Sequence, residues 1–459
     1  MGAWLSMSWR KASLFGLLVT MSIAHAELKA ETLASTPSSR AVSVGTGNVI
    51  INGTSPGLTQ NQTSLASAIG QICSTTNSLA LQAQCAKLEL LTPAQQSSAL
   101  AQLTPDQLAA QGSIAVQLVS VQRSNLSSRI AALKRGSSGL ARNGQSIQVA
   151  GLEWPTGLLA DATPTQTGMA VSGSGGLWAD GRLGMFANGR VAFGAQDTTS
   201  NQAGFDFDSG GLTLGADYRY TEQIVLGGSL GYATTSSDFT AQRGDLSTDG
   251  LVLSFYGSYY TPKSYFLDWI ASYGTSNYDT RRNIIYSGVN TSAQGSTDSR
   301  QLGISVNAGV DINRGVLLLS PYLRLEYSEI GVNGYTEQGG AGWALGYKDQ
   351  TLRSLTTTLG GRASWALSQR WGVLTPGVTA EWDHQFKGDA RRLTAHFAED
   401  PSVPFTIRTD SLDRDYLNLG VSLAATLPGG KAVFVSYETV LGQQHATFST
   451  INLGARMEF

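Results

Sequence analysis

Charge is scarce in this sequence. Asp, Glu, Lys and Arg make up 14% of its 459 residues, against roughly 25% in ordinary soluble domains. Long apolar runs are scarcer still: outside the extreme N-terminus no stretch reaches the length a helix needs to cross a bilayer, so helical spans are excluded. A net charge of −2 without any Lys/Arg cluster argues against a nucleic-acid partner. Histidine appears four times and cysteine twice; a zinc site on the two cysteines would need two more ligands nearby, and their segment has no histidine. No cofactor or metal site is read. Glycine, at 53 residues, is abundant. Low charge without long apolar runs leaves a Gly/Ser-rich soluble β protein or a transmembrane barrel.

The first 26 residues read as a secretory leader, which implies passage through a secretion translocon. Arg10 and Lys11 supply the positive region, Ser13 to Ile23 the apolar core, and Ala24-His25-Ala26 an A-x-A cleavage site. In an exported chain the nearby pair Cys73 and Cys85 is expected to form a disulfide. Residues 27 to about 60 show no sustained period. From Ser64 to Arg135 the composition turns to Ala, Leu and Gln. Leu65, Ala68, Ile69 and Ile72 keep helical spacing, as do Leu79, Ala83, Ala86 and Leu90. Thr92-Pro93 and Thr104-Pro105 read as N-caps followed by proline. A further helix is expected over Ile114 to Arg135, with Ser and Gln opposite a thin apolar face; it suits a narrow polar channel. Ser137 to Gly176 is polar and irregular.

From Leu183 the period switches to two. Met185, Ala187, Val191 and Phe193 oppose Asn188 and Arg190; Leu251, Leu253, Phe255 and Tyr259 oppose Ser254, Tyr256 and Ser258. Leu302, Ile304, Val306 and Ala308 oppose Gly303, Ser305 and Asn307. The pattern recurs about twelve times and closes with Ile451, Leu453, Ala455, Met457 and Phe459 against Asn452, Gly454 and Arg456. Tight turns at Thr221–Gln223, Thr261–Lys263, Asn313–Gly315, Ser368–Arg370 and Pro428–Gly430 alternate with long polar loops at Asp279–Gly295, Gly331–Asp349 and Lys387–Ser411. Strict alternation of short and long connections is the pattern of an outer-membrane barrel. Asp217/Arg219, Arg324/Glu326, Glu381/Asp383 and Arg456/Glu458 are tolerable on a wet lumen and costly in lipid. Trp269, Trp365, Trp371 and Trp382 are candidate interface aromatics.

The fold class expected is an all-β transmembrane barrel of about twelve antiparallel strands, with a small α-helical N-terminal segment and a pore-spanning linker helix. A leader, a short exported segment, a polar helix and such a barrel resemble the autotransporters of type V secretion. The run SNLSSRIAALKR from Ser124 to Arg135, FDFD from Phe205 to Asp208, and GLTLGADYR from Gly211 to Arg219 carry the resemblance, whose barrel part covers Gly176 to Phe459. It implies a passenger at 27–113, a linker at 114–176 and a barrel domain at 177–459. It also implies that Arg123, Asn125 and Arg129 belong to the helix occupying the pore. The partners implied are outer-membrane lipid and the barrel-assembly machinery, which would read Met457 and Phe459 on a monomeric barrel. Some family members cut themselves at an Asn-Asn pair in this helix; Ser124-Asn125 stands at the matching place, so release by that route is not expected. The passenger is too short for the family's usual β-helix.

No catalytic residue is assigned. His384 and His396 lie on or near the Lys387–Ser411 loop beside Asp383, Asp389, Glu399 and Asp400, an arrangement a barrel-mouth hydrolase would use. The expectation is that these are solvated loop residues, that no nucleophile elbow occurs, and that the protein is not an enzyme. The readings in competition are a secretion module displaying its short segment, with adhesion as the use, and a stand-alone pore.

Overall fold

The computed structural model describes residues 57–137, 142–143, 146–149, 152–155, 182–262, 264–428 and 431–458. The leader, residues 27–56, most of the linker after 137, and Phe459 lie outside the described residues.

The alternating segments form twelve barrel strands. They are β1 (Leu183–Gln196), β2 (Phe205–Arg219), β3 (Ile224–Phe239), β4 (Gly244–Tyr260), β5 (Tyr265–Tyr286), β6 (Val289–Val310), β7 (Leu317–Val332), β8 (Gln350–Trp365), β9 (Gly372–Lys387), β10 (Asp415–Leu427), β11 (Lys431–Leu441) and β12 (Ala446–Glu458). Each pairs antiparallel with its neighbour in chain order. β12 then returns to β1 in unbroken register from Ala446↔Gln196 to Glu458↔Gly184. The sheet is closed, so no row of unpaired amides faces outward.

The faces fall as the period predicts. Leu212, Leu253, Phe255, Ile304, Leu323, Trp382 and Leu453 stand exposed on the outer face. Asn188, Arg190, Thr213, Ser254, Ser305 and Asn452 are buried on the inner one. An apolar belt exposed around a closed barrel with a polar interior is a lipid-facing surface.

One expected loop is not a loop. Asp279–Gly295 is the upper part of the β5–β6 hairpin, whose ladder runs from Tyr265↔Val310 to Tyr286↔Val289. Its turn is only Ser287-Gly288, where Gly288 takes φ +82°, a conformation that glycine adopts without strain. The segment read as a polar loop because its polarity inverts. Along lower β5 the outer face carries Leu267, Trp269 and Tyr273, and the inner face Asp268 and Ser276. Past that point the outer face carries Asn277, Asp279 and Arg281, and the inner face Tyr278, Ile284 and Tyr286. The same change puts Phe205 and Phe207 of β2, Phe239 of β3, Leu246 of β4, and Ile330 and Val332 of β7 inside. Asp206, Asp208 and Asp238 are exposed outside. The lower barrel is therefore apolar-out and the upper barrel apolar-in. The reversal marks where lipid gives way to water.

The two other long loops are also ordered. Within Lys387–Ser411, strands Arg392–Phe397 and Asp400–Arg408 form a hairpin, which continues through Leu345–Tyr347 to Tyr335–Thr336. Leu393, Phe397, Phe405, Ile407, Trp343 and Leu345 are buried. These apolar residues lie scattered among polar ones, and burying them requires a covering element.

That element is a trio of helices, α1 (Gln60–Thr75), α2 (Leu79–Glu89) and α3 (Pro93–Leu103). Thr59 with Gln62, and Thr92 with Gln95, form reciprocal capping boxes, and Pro93 sits in the first turn of α3 as expected. Cys73 and Cys85 are disulfide-bonded, with Cα atoms 5.7 Å apart. Leu65, Ala68, Ile69 and Ile72 of α1 are buried as their spacing indicates. In α2 the buried set is Leu81, Cys85 and Leu88, whereas Leu79 and Leu90 are 81% and 87% exposed. The expected face of α2 is thus displaced: the bond to Cys73 turns Cys85 inward, and Leu81 and Leu88 share its side of the helix. Helix α4 runs unbroken from Asp106 to Ser137, so the expected division at 113/114 coincides with no element boundary.

Leu253→Arg, in the apolar belt, should destabilise the barrel by about 2–4 kcal/mol. Asp249→Arg, four residues earlier on the same outer face and above the polarity reversal, should be nearly neutral. Equilibrium urea titrations in lipid vesicles measure both. Removing the disulfide by Cys73→Ser with Cys85→Ser should weaken the helical segment by roughly 3 kcal/mol, read as its loss of resistance to added protease.

Candidate functional site in the occupied lumen

Helix α4 spans about 48 Å at the usual rise for its 32 residues, and it lies inside the barrel. Its N-terminal end is at the end with the long loops and its C-terminal half reaches toward the short turns. Three tiers of contacts hold it.

At the mouth, Asp106 pairs with Arg243, which follows β3, and accepts a 3.0 Å hydrogen bond from the amide of Ala203. Gln107 donates to the Arg243 carbonyl at 2.8 Å, and Gln111 to the Tyr335 hydroxyl at 3.0 Å. Below this, Ala110, Ile114 and Ala115 are gripped by Phe205, Phe207, Phe239, Leu246, Tyr278 and Ile330. This apolar collar interrupts a largely polar lumen, and it leaves little room for water beside the helix at that level.

In the middle tier, Arg123 pairs with Glu326 of β7, which also takes Arg324 at 2.9 Å. Arg324 reaches on to Glu381 of β9 at 2.9 and 3.1 Å, and the Tyr322 hydroxyl donates to the same carboxylate. Asn125 donates to the Thr213 hydroxyl at 2.9 Å, and Asn188 donates to the Asn125 carbonyl at 3.3 Å.

In the lowest tier, Arg129 makes a bidentate pair with Asp217 of β2 at 2.7 and 2.8 Å, and Tyr256 donates to Asp217 at 3.0 Å. Arg129 and Asp217 are 2% and 4% exposed. The guanidinium lies 5.0 Å from the Phe186 ring centre, a cation–π distance. A Cβ on Gly184 would come within 2.8 Å of the guanidinium; glycine there leaves room for the pair. Leu126 and Ile130 are buried beside Phe186, Val225, Tyr256 and Ile270.

The sequence pairs Arg324 with Glu326 correctly, but for Asp217 and Glu381 the partners come from elsewhere. Asp217 is held by Arg129 of the helix and Glu381 by Arg324, while Asp383, a second carboxylate, accepts from Thr358 and Asn418. Neighbours two apart on one strand share a face, and the better partner comes from an adjacent element. Arg123, Asn125 and Arg129, expected to belong together on the helix, all meet the barrel wall. Asp106, Arg243, Arg282 and Glu337 were not legible as a set. The only signal was Asp106 directly after Thr104-Pro105, where an acid suits the first helical turn.

His384 and His396 lie on separate sheets. His384 is on β9, with Nδ1 2.9 Å from Asp415 and its ring between Trp382 and Phe386 on the outer face. His396 pairs with Gly346 in the loop sheet; burial and then Lys348 pull its imidazole below the usual value. Gly227-Gly228-Ser229-Leu230-Gly231 does match the nucleophile-elbow spacing, contrary to expectation. It lies inside β3 and lacks the strand-to-helix turn that gives the motif its chemistry. Met457 is on β12, opposite Lys431 and Met185.

A closed twelve-strand barrel with a polar helix along its lumen is the architecture of a translocator, and residues 185–438 match the model of the autotransporter β-domain. The chain belongs to the autotransporter β-domain family. It is a protein of the bacterial outer membrane. It is 27% identical over 255 residues to Lipase 1 of Photorhabdus luminescens, covering 54% of this chain and 38% of the relative. To esterase EstA of Pseudomonas aeruginosa it is 26% identical over 248 residues, covering 52% and 37%. The chain thus spans less than two-fifths of the length of either relative. The translocator domain of the autotransporter NalP from Neisseria meningitidis superposes with a TM-score of 0.50 at 16% identity, covering 61% of this chain and 89% of that one. At that identity the likeness is one of fold.

Arg129→Met leaves Asp217 buried without its cation and should weaken the seating of α4 by about 3–5 kcal/mol. In planar bilayers the variant should show frequent large conductance steps where the parent is quiet. Combining it with Asp217→Asn should restore most of the quiet state.

Proposed function

We propose that this autotransporter carries its short helical N-terminal segment through its own barrel and holds it at the cell surface. The observation behind this reading is the course of α4. The helix occupies the lumen with its N-terminal end among the long loops, and α1–α3 lie beyond that end. In outer-membrane barrels the long loops face outward and the short turns face the periplasm. A segment emerging through the mouth is then displayed, and adhesion or another surface contact is the use we assign to it. The segments 27–113, 114–176 and 177–459 serve as passenger, linker and barrel.

The leader at 1–26 delivers the chain to the secretion translocon, and Met457 with Phe459 forms the signal read by the barrel-assembly machinery. Asn125 follows Ser124 rather than another asparagine, so the chain remains uncut within α4. The barrel domain is not itself catalytic. Lipase and esterase are the names of relatives more than twice as long as this chain's share of them, and residues 57–137 contain no histidine. We read the displayed segment as a binding element rather than an enzyme. A freely conducting pore is disfavoured by the three tiers that hold α4.

An epitope inserted at Asn77, exposed between α1 and α2, should bind antibody on intact cells. Binding only after the outer membrane is permeabilised would overturn the reading.

A further inference from the structure

We infer that the outer loops of the barrel are the second half of the passenger's hydrophobic core, so that α1–α3 and the upper barrel fold as one unit. Seating on the loops, rather than an independent fold, then keeps the segment folded. The inference rests on the display reading above and adds what the displayed segment is bound to.

Three independent features support it. The first is the polarity reversal. Above the belt β5 and β6 turn Ile284, Tyr286 and Val289 inward against the helices, while Asp279 stays on the outer face, which makes a water-soluble cup with an apolar lining. Such a lining requires an occupant. The second is the composition of the core. Leu65, Ile69 and Leu100 of the helices belong to a single buried cluster with Trp343, Phe397 and Phe405 of the loops. Residues 60–103 are close to the size at which a chain can no longer build a sufficient core alone, even with one disulfide.

The third feature is the polar stitching between the two parts, which is specific and buried. Asn61 is 1% exposed. Its amide donates to the carbonyls of Asn201 and Arg408 at 2.7 and 2.9 Å, and its oxygen accepts from the Arg408 amide at 2.7 Å. Gln84 of α2 donates to the Ala341 carbonyl at 3.0 Å. Arg282 of β5, paired with Glu337 and bonded to the Trp343 carbonyl, reaches the Leu103 carbonyl at the end of α3. These bonds are lost if the helices leave, and the groups on both sides then exchange them for water. The helices and loops therefore stabilise each other's conformation, and the bonds at Asn61 and Gln84 fix how they meet.

The test uses the full chain in outer membranes of intact cells, read by added protease, with the heat-modifiable gel mobility of the barrel as the control for its assembly. Phe405→Asp on the loop side and Ile69→Asp on the helix side should give the same result: α1–α3 are digested while the barrel is assembled. Leu79→Asp, on the exposed face of α2, should be silent. Asn61→Ala, which leaves the barrel wall untouched, should speed digestion of α1–α3 about ten-fold and serves if Phe405→Asp fails to assemble. Resistance of α1–α3 unchanged by both Phe405→Asp and Asn61→Ala would overturn the inference, because the helices would then fold on their own. An Asn77 epitope that is hidden on intact cells of the parent would instead overturn the display reading.

Discussion

Hydrogen-bond closure is the constraint on which this structure depends. Lipid offers a strand no donor or acceptor, so the ladder from Ala446↔Gln196 to Glu458↔Gly184 removes the last open edge. The twelve strands that close the ring set the width of its interior. That interior is too wide for the inward Ser, Gly and Asn side chains to fill. The remaining space holds either water or another element of the chain, and here α4 enters it. The polar lumen then becomes a set of docking groups for a helix lined with Arg, Asn, Gln and Ser.

The helix is placed by charge rather than by apolar area. Buried ion pairs add little net stability over apolar packing of the same volume, but removing one partner is expensive. Arg129 against Asp217, Arg123 against Glu326 and Asp106 against Arg243 therefore act mainly on register. A helix slid or rotated by one residue would leave Arg129, Asp217 and Asp106 buried and unpaired. The apolar collar at Ala110, Ile114 and Ala115 contributes tightness instead of position. The order along α4, clamp then collar then clamps, separates sealing from alignment.

Much of the barrel was legible because period two reports both faces at once. Leu302 to Ile312 and Ile451 to Met457 could hardly be read otherwise. The alternation stops being visible where the physics changes sign. Asn277, Asp279 and Arg281 on the outer face break the apolar alternation that Leu267, Trp269 and Tyr273 set up. A strand leaving lipid for water consequently resembled a loop, although Tyr278, Ile284 and Tyr286 continued the period on the other face. The displaced face of α2 has a related origin. Spacing alone allowed Leu79 with Leu90 or Leu81 with Leu88, and the choice depends on Cys73, which lies in another helix. The partners of Asp217 and Glu381 were out of reach for the same reason: period says which face a residue occupies, while the group opposite is a fact of three dimensions.

The polarity reversal also explains why so short an N-terminal segment can be ordered at all. A barrel whose strands ended at the belt would present α1–α3 with bare loops, and the trio would have to bury its apolar face on itself. By extending β5 and β6 past the belt and turning Ile284, Tyr286 and Val289 inward beside the loop sheet, the chain builds a cup that is unstable empty and stable filled. The helices have the complementary deficit, with Leu65, Ile69 and Ile72 on a face larger than their neighbours can cover. Each part supplies the surface that the other lacks. An insertion lengthening the exposed link around Asn77 would leave those faces intact, whereas a charge at Ile69 would uncover both together.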